Sequence, residues 1–275
     1  MGVEVLIEKL KSLLGTRGFS LLVEGLRDSV MLGGDVSRLY HRVASLYPDY
    51  SGYFSVGGGY YGEYYKEYPG RERIRLPRPV RSSGVDVLEA IRSRRSRRTY
   101  SRRPLKLADL SALLYYTVGV TGRAWWGGPK RAYPSAGALQ PVEVYVSASR
   151  VEDLGEGLYH YNPGLHGLEL LRPGDYSREL EEAALGQEHV GRAPVVLILT
   201  AVYSRTASRY GQRSYRYIHW DAGFAGENIY LVSEALGMAT VAVGAFYDYE
   251  VCRILEIDCT WEMPMLLFPV GYRVH

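Results

Sequence analysis

The sequence predicts an α+β fold in which helices pack on a central mixed sheet. Residues 194–203 form a nearly continuous β-branched and aliphatic run, which is typical of a strand buried on both faces. Residues 218–236 repeat apolar side chains every three or four positions, as a helix with one buried face does. Shorter strand-like and helix-like patterns alternate around these two segments, so we expect the helices to cover the sheet.

Composition limits the classes of partner that the chain can bind. Its 275 residues suffice for one large domain or two small ones. The 33 basic and 30 acidic side chains leave a net charge of +3, whereas nucleic-acid-binding domains usually carry a strong basic excess. The longest strongly apolar run, residues 193–203, is well short of the ~20 residues that span a bilayer. We therefore predict neither a nucleic-acid partner nor a membrane partner, and a cytoplasmic location because no secretory signal is recognisable.

The cysteines and histidines give no metal-binding pattern. Cys252 and Cys259 are seven residues apart, and no third thiol is available to complete a zinc site. We interpret both cysteines as buried packing residues. The six histidines lack ligand spacing, so we predict no metal site. Arginine outnumbers lysine and only five residues are Asn or Gln, a composition that hints at a thermophilic source.

We divide the chain into an N-terminal part, residues 1–83, and a main domain, residues 84–275. Apolar residues at helical intervals, interrupted by glycines, predict two or three short helices in residues 1–46. Residues 47–79 are rich in Tyr and Gly, and we interpret them as an irregular arm whose tyrosines lie across another surface. A disordered linker is the alternative. The triple glycine at 57–59 is not followed by the Lys and Ser/Thr of a phosphate loop.

The main domain begins with two predicted helices. The first, residues 86–95, would place Leu88 and Ile91 on its inner face and be capped by Ser83. The second repeats leucines from Leu107 onward and ends at Gly119. Later predicted strands cover 142–146, 157–161, 168–171, 194–203, 239–244 and 265–272, and later predicted helices cover 176–185, 218–236 and 249–255.

An arginine-rich stretch, residues 94–100, follows the first of these helices. It places four guanidinium groups and the hydroxyls of Ser96, Thr99 and Tyr100 close together in the sequence, and arginine offers a planar fork of donors suited to phosphate. A solvated basic face is the alternative interpretation. A second segment, residues 133–141, joins small residues with Ser135 and Gln140 immediately before a strand. It is either a ligand-lining loop or a turn of purely structural importance.

Together with three later segments, these two stretches resemble the flavin-dependent nitroreductase superfamily. The resemblance covers residues 85–275 in order and spacing. Its elements are Arg94-Arg95-Ser96 with Arg98, the 134–137 turn with Gln140-Pro141, Asp221-Ala222-Gly223 opening a long helix, residues 243–246, and residues 269–273. Further features, including residues 157–163 and 209–217, resemble the SagB-type thiazole/oxazole dehydrogenase branch, whose members oxidise azoline rings in ribosomal peptides with FMN.

The resemblance implies an FMN site and a role for each matching residue. The FMN phosphate and ribityl chain would contact Arg94, Arg95, Ser96 and Arg98, with Arg273 approaching from the C-terminal side. The isoalloxazine would be lined by Pro134, Ser135, Ala136 and Gly137, with Gln140 as a further polar contact. Backbone amides of the segment Val243, Gly244 and Ala245 would face the flavin N5 edge. Arg97, Arg102 and Arg103 would remain solvent or dimer-surface charges.

The resemblance also implies a homodimer with FMN at the interface. A peptide-modifying cyclodehydratase is a further candidate partner, which the Tyr-rich arm would dock. Catalysis is assigned to Tyr210 and Arg209, where azoline-oxidising members carry Tyr and Lys; Phe224 stands where they commonly have His. Arginine cannot act as a base as a desolvated lysine can. We therefore predict an FMN-dependent dehydrogenase of a small heterocycle or peptide-derived substrate. The alternatives are an NAD(P)H-dependent nitro or quinone reductase, and a flavin-binding docking partner without turnover.

Overall fold

The computed structural model describes residues 3–31, 33–34, 36–45 and 64–274. Most of the predicted Tyr-rich arm, including the triple glycine at 57–59, lies outside the described residues. The chain divides into two compact units, one of residues 1–58 with 207–216 and one of residues 59–206 with 217–275. No helix in the described ranges is long and apolar enough to cross a membrane.

The first unit is helical where it is described. It contains α1 (Val3–Met31) and α2 (Val36–Val43). Gly15 has φ +68° and interrupts the helical conformation of α1, so α1 is two helical segments joined at this glycine. The prediction of two or three glycine-separated helices is confirmed.

The second unit is built on a seven-stranded sheet. Its strands are β1 (Arg73–Arg75), β4 (Val142–Ala148), β5 (Gly157–Asn162), β6 (Gly167–Pro173), β7 (Val195–Val202), β8 (Met238–Thr240) and β9 (Glu262–Tyr272), in the spatial order β1-β6-β5-β4-β7-β9-β8. A separate hairpin joins β2 (Val120–Arg123) to β3 (Pro129–Arg131). Neighbouring strands of the seven-stranded sheet pair antiparallel, so the α+β class is confirmed but the sheet is not mixed.

Helices cover both faces of this sheet. Those that contribute to its two core clusters are α4 (Leu107–Val118), α5 (Ser177–Ala183), α6 (Glu188–Gly191), α8 (Ser214–Ala235) and α9 (Asp248–Leu255). Two further helices are α3 (Val87–Ser93) and α7 (Tyr203–Tyr210). Strand β7 shows how the two faces form, because Leu197 belongs to the core cluster under α4 and α8 whereas Ile198 belongs to the cluster under α5, α6 and α9. Residues 195–201 are all buried, as the apolar run predicts.

The start of the main domain differs from the sequence prediction. Asp86 itself caps α3 by accepting a 2.8 Å hydrogen bond from the amide of Leu88, and Ser83 lies outside the cap. Leu88 and Ile91 are exposed, and Ala90 is the buried residue of this short helix. The helix ends at Ser93 because Arg94 adopts an extended ψ of 130°. The arginine stretch therefore follows the helix as irregular backbone and does not form its last turn.

The two cysteines are also not independent packing residues. Cys252 and Cys259 form a disulfide, and Cys259 is only partly buried. The bond joins α9 to the loop that leads into β9, a connection that spacing alone could not predict. In the part of the chain that the structure describes, no group of three or more His, Cys, Asp or Glu side chains is arranged to hold a metal ion.

Candidate functional site

Helix α8 connects the segments that the sequence analysis selected. The hydroxyl of Tyr230 on this helix lies 3.0 Å from Ser96 Oγ in the arginine stretch and accepts a 2.8 Å hydrogen bond from the amide of Ala242. The guanidinium of Arg94 lies over the ring of the same tyrosine, 5.0 Å from its centroid. One side chain thus brings the arginine stretch and the segment after β8 together.

The contact with Tyr230 also explains a difference from the predicted strand 239–244. Regular pairing of β8 ends at Thr240, and the amide of Ala242 donates its hydrogen bond to the Tyr230 hydroxyl instead of to β9. Pairing resumes at a single bridge, where Val243 and Leu267 exchange hydrogen bonds of 2.8 and 2.9 Å. The chain beyond this bridge, Gly244 and Ala245, leaves the sheet and is exposed.

Glu234, one turn after Tyr230, holds two arginines. Arg97 donates a 2.8 Å hydrogen bond to its carboxylate, and Arg273 forms an ion pair with the same group. Burial alone would raise the pKa of Glu234, but hydrogen bonds from Arg273 and Arg97 lower it below its usual value. The prediction that Arg97 is a solvent or dimer-surface charge is wrong, because Arg97 is partly buried in this ion pair.

The remaining cations of the stretch have no carboxylate partner among the described residues. Arg95 donates to the backbone carbonyls of Arg92 and Arg94, at 3.1 and 2.8 Å. Arg98 is exposed, and its side chain forms neither a hydrogen bond nor an ion pair within the described ranges. Its positive charge helps to lower the pKa of His189, after the larger effect of burial. Arg94, Arg95 and Arg98 therefore form a concentration of positive charge that the protein does not neutralise locally.

The turn at residues 134–138 is held by Asp221. This aspartate is 2% exposed and accepts hydrogen bonds of 2.6 Å from Ser135 Oγ and 3.2 Å from the Ala136 amide. Ser135 Oγ in turn accepts a 2.8 Å hydrogen bond from the amide of Gln140. Burial is the main cause that raises the pKa of Asp221 to about 6, and the hydrogen bonds from the turn oppose it. Asp221 lies inside α8 and does not open it, since the helix begins at Ser214.

The backbone of this turn adopts conformations that are rare for residues with side chains. Gly137 has φ +61°, and Ala138 and Gln140 have φ +55° and +52°. Such strain persists where surrounding contacts determine the conformation, and it is concentrated at functional sites. The contacts around Asp221 supply this constraint, because they fix the residues on either side of Gly137.

The side chains of Ser135 and Gln140 bind the protein itself. Gln140 is 2% exposed; its amide oxygen accepts from Arg131 Nε at 3.1 Å and its amide nitrogen donates to the carbonyl of Pro129. Arg205 donates to the Gln140 carbonyl at 3.0 Å and pairs with the buried Glu143. Both predicted polar contacts therefore stabilise the turn, and Pro134 and Gly137 are its exposed residues.

The amides of Gly244 and Ala245 are free donors. No hydrogen-bond partner for either N–H group is found in the described ranges, and the Ala245 carbonyl accepts a 2.9 Å hydrogen bond from Gln187. Val243 differs, because its own amide donates to Leu267. Sequence reasoning selected this segment but not Tyr230, which bonds the Ala242 amide, nor Glu234, which pairs with Arg97 and Arg273. Their four-residue spacing on α8 is the signal that could have identified them.

The two predicted catalytic residues belong to the first unit. Arg209 and Tyr210 end α7, and the Arg209 guanidinium lies 5.6 Å from the centroid of the Tyr210 ring. Phe224 belongs to the second unit, where it is an exposed residue of α8. The catalytic role of the Arg209-Tyr210 pair stays a prediction.

Comparison with known proteins extends these observations. The model of the nitroreductase family matches residues 91–272, more than half of the chain. A protein of Methanocaldococcus jannaschii assigned as a nitroreductase is 41% identical over 191 residues, which cover 70% of this chain and 93% of that protein. The microcin B17-processing protein McbC of Escherichia coli is 25% identical over 146 residues, and the match covers 51% of this chain and 54% of McbC. The chain thus aligns with about half the length of McbC.

Solved structures show the same fold. A crystal structure from Anabaena variabilis, assigned as a nitroreductase, has a TM-score of 0.70 at 24% identity, covering 88% of this chain and 48% of that one. The E. coli microcin synthetase McbBCD complex with truncated pro-MccB17 bound has a TM-score of 0.56 at 23% identity. The match covers 73% of this chain and 78% of that one. A protein from Desulfovibrio desulfuricans, assigned as a nitroreductase and solved in complex with FMN, has a TM-score of 0.50 at 18% identity. The match covers 70% of this chain and 88% of that one. The family match and the M. jannaschii relative, on this fold, show that the chain belongs to the nitroreductase family.

Proposed function

We propose that this protein is an FMN-dependent oxidoreductase that dehydrogenates a small heterocycle or a peptide-derived substrate. The observation that supports it most directly is the set of unsatisfied donors on elements joined by α8. Arg94, Arg95 and Arg98 lack carboxylate partners, and the amides of Gly244 and Ala245 are free in the described ranges. The FMN complex of the D. desulfuricans protein and the name of McbC as a microcin-processing protein motivate the cofactor and the substrate class.

The donor set fits FMN. Its phosphate is a dianion that needs several cationic or N–H donors, and the arginine stretch offers three guanidinium groups with the Ser96 hydroxyl among them. Arg273 is a less direct contributor. Its guanidinium is bonded to Glu234 and to the Met238 carbonyl, at 2.9 Å for the latter. We therefore assign Arg273 to positioning the stretch through Glu234, with direct phosphate contact as a further prediction.

The remaining residues would hold the flavin ring. Amide donors at Gly244 and Ala245 suit the N5 and O4 edge, where negative charge develops on reduction. The exposed residues Pro134 and Gly137, with the half-buried Ala136 between them, leave space for a flat ring system against the turn. When bound, FMN would supply N5 as the acceptor of hydride from the substrate carbon.

Proton transfer is the step that this chain would perform differently from its azoline-oxidising relatives. Arg209 stays protonated, so it can orient a substrate or stabilise negative charge but cannot remove a proton. Tyr210 can donate a proton to a developing anion, because its side chain carries a phenolic O–H. We therefore favour a substrate that needs an acid or an anion-stabilising group at this position.

We include two partners in the proposal. The first is a second copy of the chain, with FMN at the interface, as the family resemblance implies. The second is a peptide-modifying cyclodehydratase. The McbBCD complex with truncated pro-MccB17, a structure of the same fold, supports this second partner.

The first test is cofactor content. The purified protein should be yellow, release FMN on denaturation and recover it when FMN is added. A colourless protein that takes up no FMN would refute the proposal. With FMN bound, anaerobic addition of an azoline-containing peptide should bleach the flavin at 450 nm on the order of seconds if turnover is in the usual range.

A second candidate function is NAD(P)H-dependent reduction of nitro compounds or quinones. The 41% identity with the M. jannaschii protein favours it. Rapid anaerobic bleaching by NADPH or NADH, with no bleaching by azoline peptides, would select this candidate. Flavin that stays bound and is cycled by neither class of donor would instead indicate a docking protein without turnover.

A further inference from the structure

The β2–β3 hairpin carries two exposed tryptophans at its tip. Trp125 is 93% exposed and Trp126 is 53% exposed, and their rings meet edge to face with centroids 5.4 Å apart. The tip is an ordered turn, because Ala124 and Gly128 are joined by a 2.8 Å backbone hydrogen bond. Large exposed aromatic side chains mark interaction surfaces, and tryptophan is enriched among residues that dominate binding energy.

The surroundings of the tip are cationic. Arg123 and Lys130 are exposed, and neither pairs with a carboxylate in the ranges that the structure describes. Arg123 is directed toward the tip by a 3.2 Å hydrogen bond to the Gly127 carbonyl. No acidic residue occurs in the sequence between Asp109 and Glu143. Because a hairpin tip is convex and small ligands bind in concave sites, its partner should be a protein with an acidic groove.

The second unit of this chain itself contains such a groove. A cavity of about 660 Å³ lies between α5, α9 and the segment that joins β8 to α9. Phe246 and Tyr247 line it together with Tyr249, which is 81% exposed. Its acidic side chains are Glu179, Glu182, Asp248 and Glu250.

Two of these carboxylates are unpaired. Glu182 pairs with Arg178, and Glu250 pairs with Arg253. Glu179 and Asp248 form no hydrogen bond or ion pair through their side chains within the described ranges. The groove thus offers two free carboxylates beside aromatic rings, and the hairpin offers two free cations beside aromatic rings.

We propose that the β2–β3 hairpin of one copy inserts Trp125 into this groove on a second copy, with Arg123 and Lys130 facing Glu179 and Asp248. The exposure of Trp125 and Tyr249 shows that the described residues of the same chain cover neither surface. In a two-fold dimer the contact occurs twice, because each copy carries both surfaces. This inference rests on the homodimer of the proposed function and adds the surfaces that form it.

The contact would assemble the FMN site from both copies. The hairpin is tied to the 134–138 turn of its own chain, since Arg131 and the Pro129 carbonyl both bond Gln140. The groove begins at Phe246, directly after the free amides of Gly244 and Ala245. Insertion therefore brings the turn of one copy toward the amide donors of the other.

Chemical cross-linking between two different variants tests the contact. Trp125→Cys protein is mixed with Tyr249→Cys protein and treated with a short bismaleimide; the native cysteines do not react because they form a disulfide. We expect a covalent dimer in the mixture and not from either variant alone. Replacing Tyr249→Cys by Leu165→Cys, another exposed position that lies on the β5–β6 turn, should abolish the cross-link.

Charge reversal provides an independent measurement. Arg123→Glu with Lys130→Glu should raise the dimer dissociation constant about tenfold or more by sedimentation, and mixing with Glu179→Lys, Asp248→Lys protein should restore association. A dimer that forms without the cross-link overturns this inference alone. A chain that is monomeric at every concentration overturns both it and the proposed homodimer, while the FMN content of the same samples tests the cofactor separately.

Discussion

The Oδ2 atom of Asp221 accepts a hydrogen bond of 2.6 Å from the Oγ atom of Ser135. The bond joins the middle of α8 to a turn whose backbone is otherwise unfavourable. Tyr230, nine residues later on the same helix, joins the arginine stretch to the segment after β8. These two attachment points are about 13 Å apart along the helix axis. A single rigid helix thus fixes the relative position of the proposed phosphate contacts and the proposed flavin-lining turn.

Replacing Asp221 should change how stability depends on pH. Burial raises the pKa of this carboxyl from 3.8 to about 6, so the folded state retains a proton that the unfolded state releases between about pH 4 and pH 6. The free energy of unfolding should therefore fall as pH rises through this range, by up to about 3 kcal/mol. Urea unfolding at several pH values should show that Asp221→Asn removes this decrease. Asp153→Asn, at an exposed carboxylate, should retain it; an unchanged pH profile in Asp221→Asn would contradict the assignment.

Removing the hydroxyl of Tyr230 should weaken two contacts at once. Tyr230→Phe leaves the Ala242 amide without an acceptor and removes the bond to Ser96, so stability should fall by about 1–2 kcal/mol. The FMN dissociation constant should rise as well, since the segment before Gly244 is less constrained. Thermal unfolding and flavin fluorescence titration measure the two effects. Tyr115→Phe, which removes a hydroxyl that forms no hydrogen bond in the described ranges, is the control and should change neither.

Substitutions of Arg98 and Arg102 should differ in their effect on FMN binding. Arg98→Ala removes an unneutralised cation from the proposed phosphate site and should raise the FMN dissociation constant about tenfold to a hundredfold. Arg102→Ala removes an exposed cation, two residues beyond the stretch, that is not assigned to the phosphate. Equal losses in both variants would indicate a general charge effect, and increasing salt would then reduce the difference from the wild type.

The two ion pairs that Glu234 forms with Arg97 and Arg273 should stabilise the fold in a pH-dependent way. Glu234→Gln should lower the free energy of unfolding at pH 7 by about 2 kcal/mol, less than for a fully buried pair because both arginines are partly exposed. The pKa of Glu234 is lowered in the folded state. Its contribution is therefore lost as pH falls through the acidic range, and the difference between variant and wild type should shrink there. Glu188→Gln, at an exposed ion pair, should cause little loss at any pH.

Local sequence patterns predicted those helices and strands whose conformation is determined by residues nearby in the sequence. Strand β7 and helix α8 were predictable because long apolar runs and repeats leave few alternatives, and Gly237, with φ +69°, follows α8 as the pattern predicts. The β2–β3 hairpin was missed, since its sequence contains glycines and tryptophans without alternation. Strand β1 and helix α7 were missed as well. Short elements like these depend on pairing and packing with distant residues.

The candidate site shows the same limit more clearly. The arginine stretch was predictable as a segment, because its composition is unusual. The sequence did not predict which of its arginines pairs with a carboxylate of the protein, because Glu234 is 137 residues from Arg97 in the sequence. Gln140 was selected as a ligand contact on the basis of its amide group, yet that group is buried against Arg131 and Pro129. A polar residue type indicates chemical capacity, but only the fold decides whether the protein or a ligand uses it.

Arg209 offers a direct test of the proposed reaction class. If the lysine of azoline-oxidising relatives acts as a base, Arg209→Lys should increase the rate of azoline oxidation, because a desolvated lysine can lose its proton and arginine cannot. Tyr210→Phe should lower the rate by about 10²–10⁴-fold if the phenol donates a proton in the rate-limiting step. Single-turnover bleaching of the flavin measures both. Rates that are unchanged in Arg209→Lys, together with rapid bleaching by NADPH in all variants, would favour nitro or quinone reduction, for which neither residue has to remove a proton from substrate carbon.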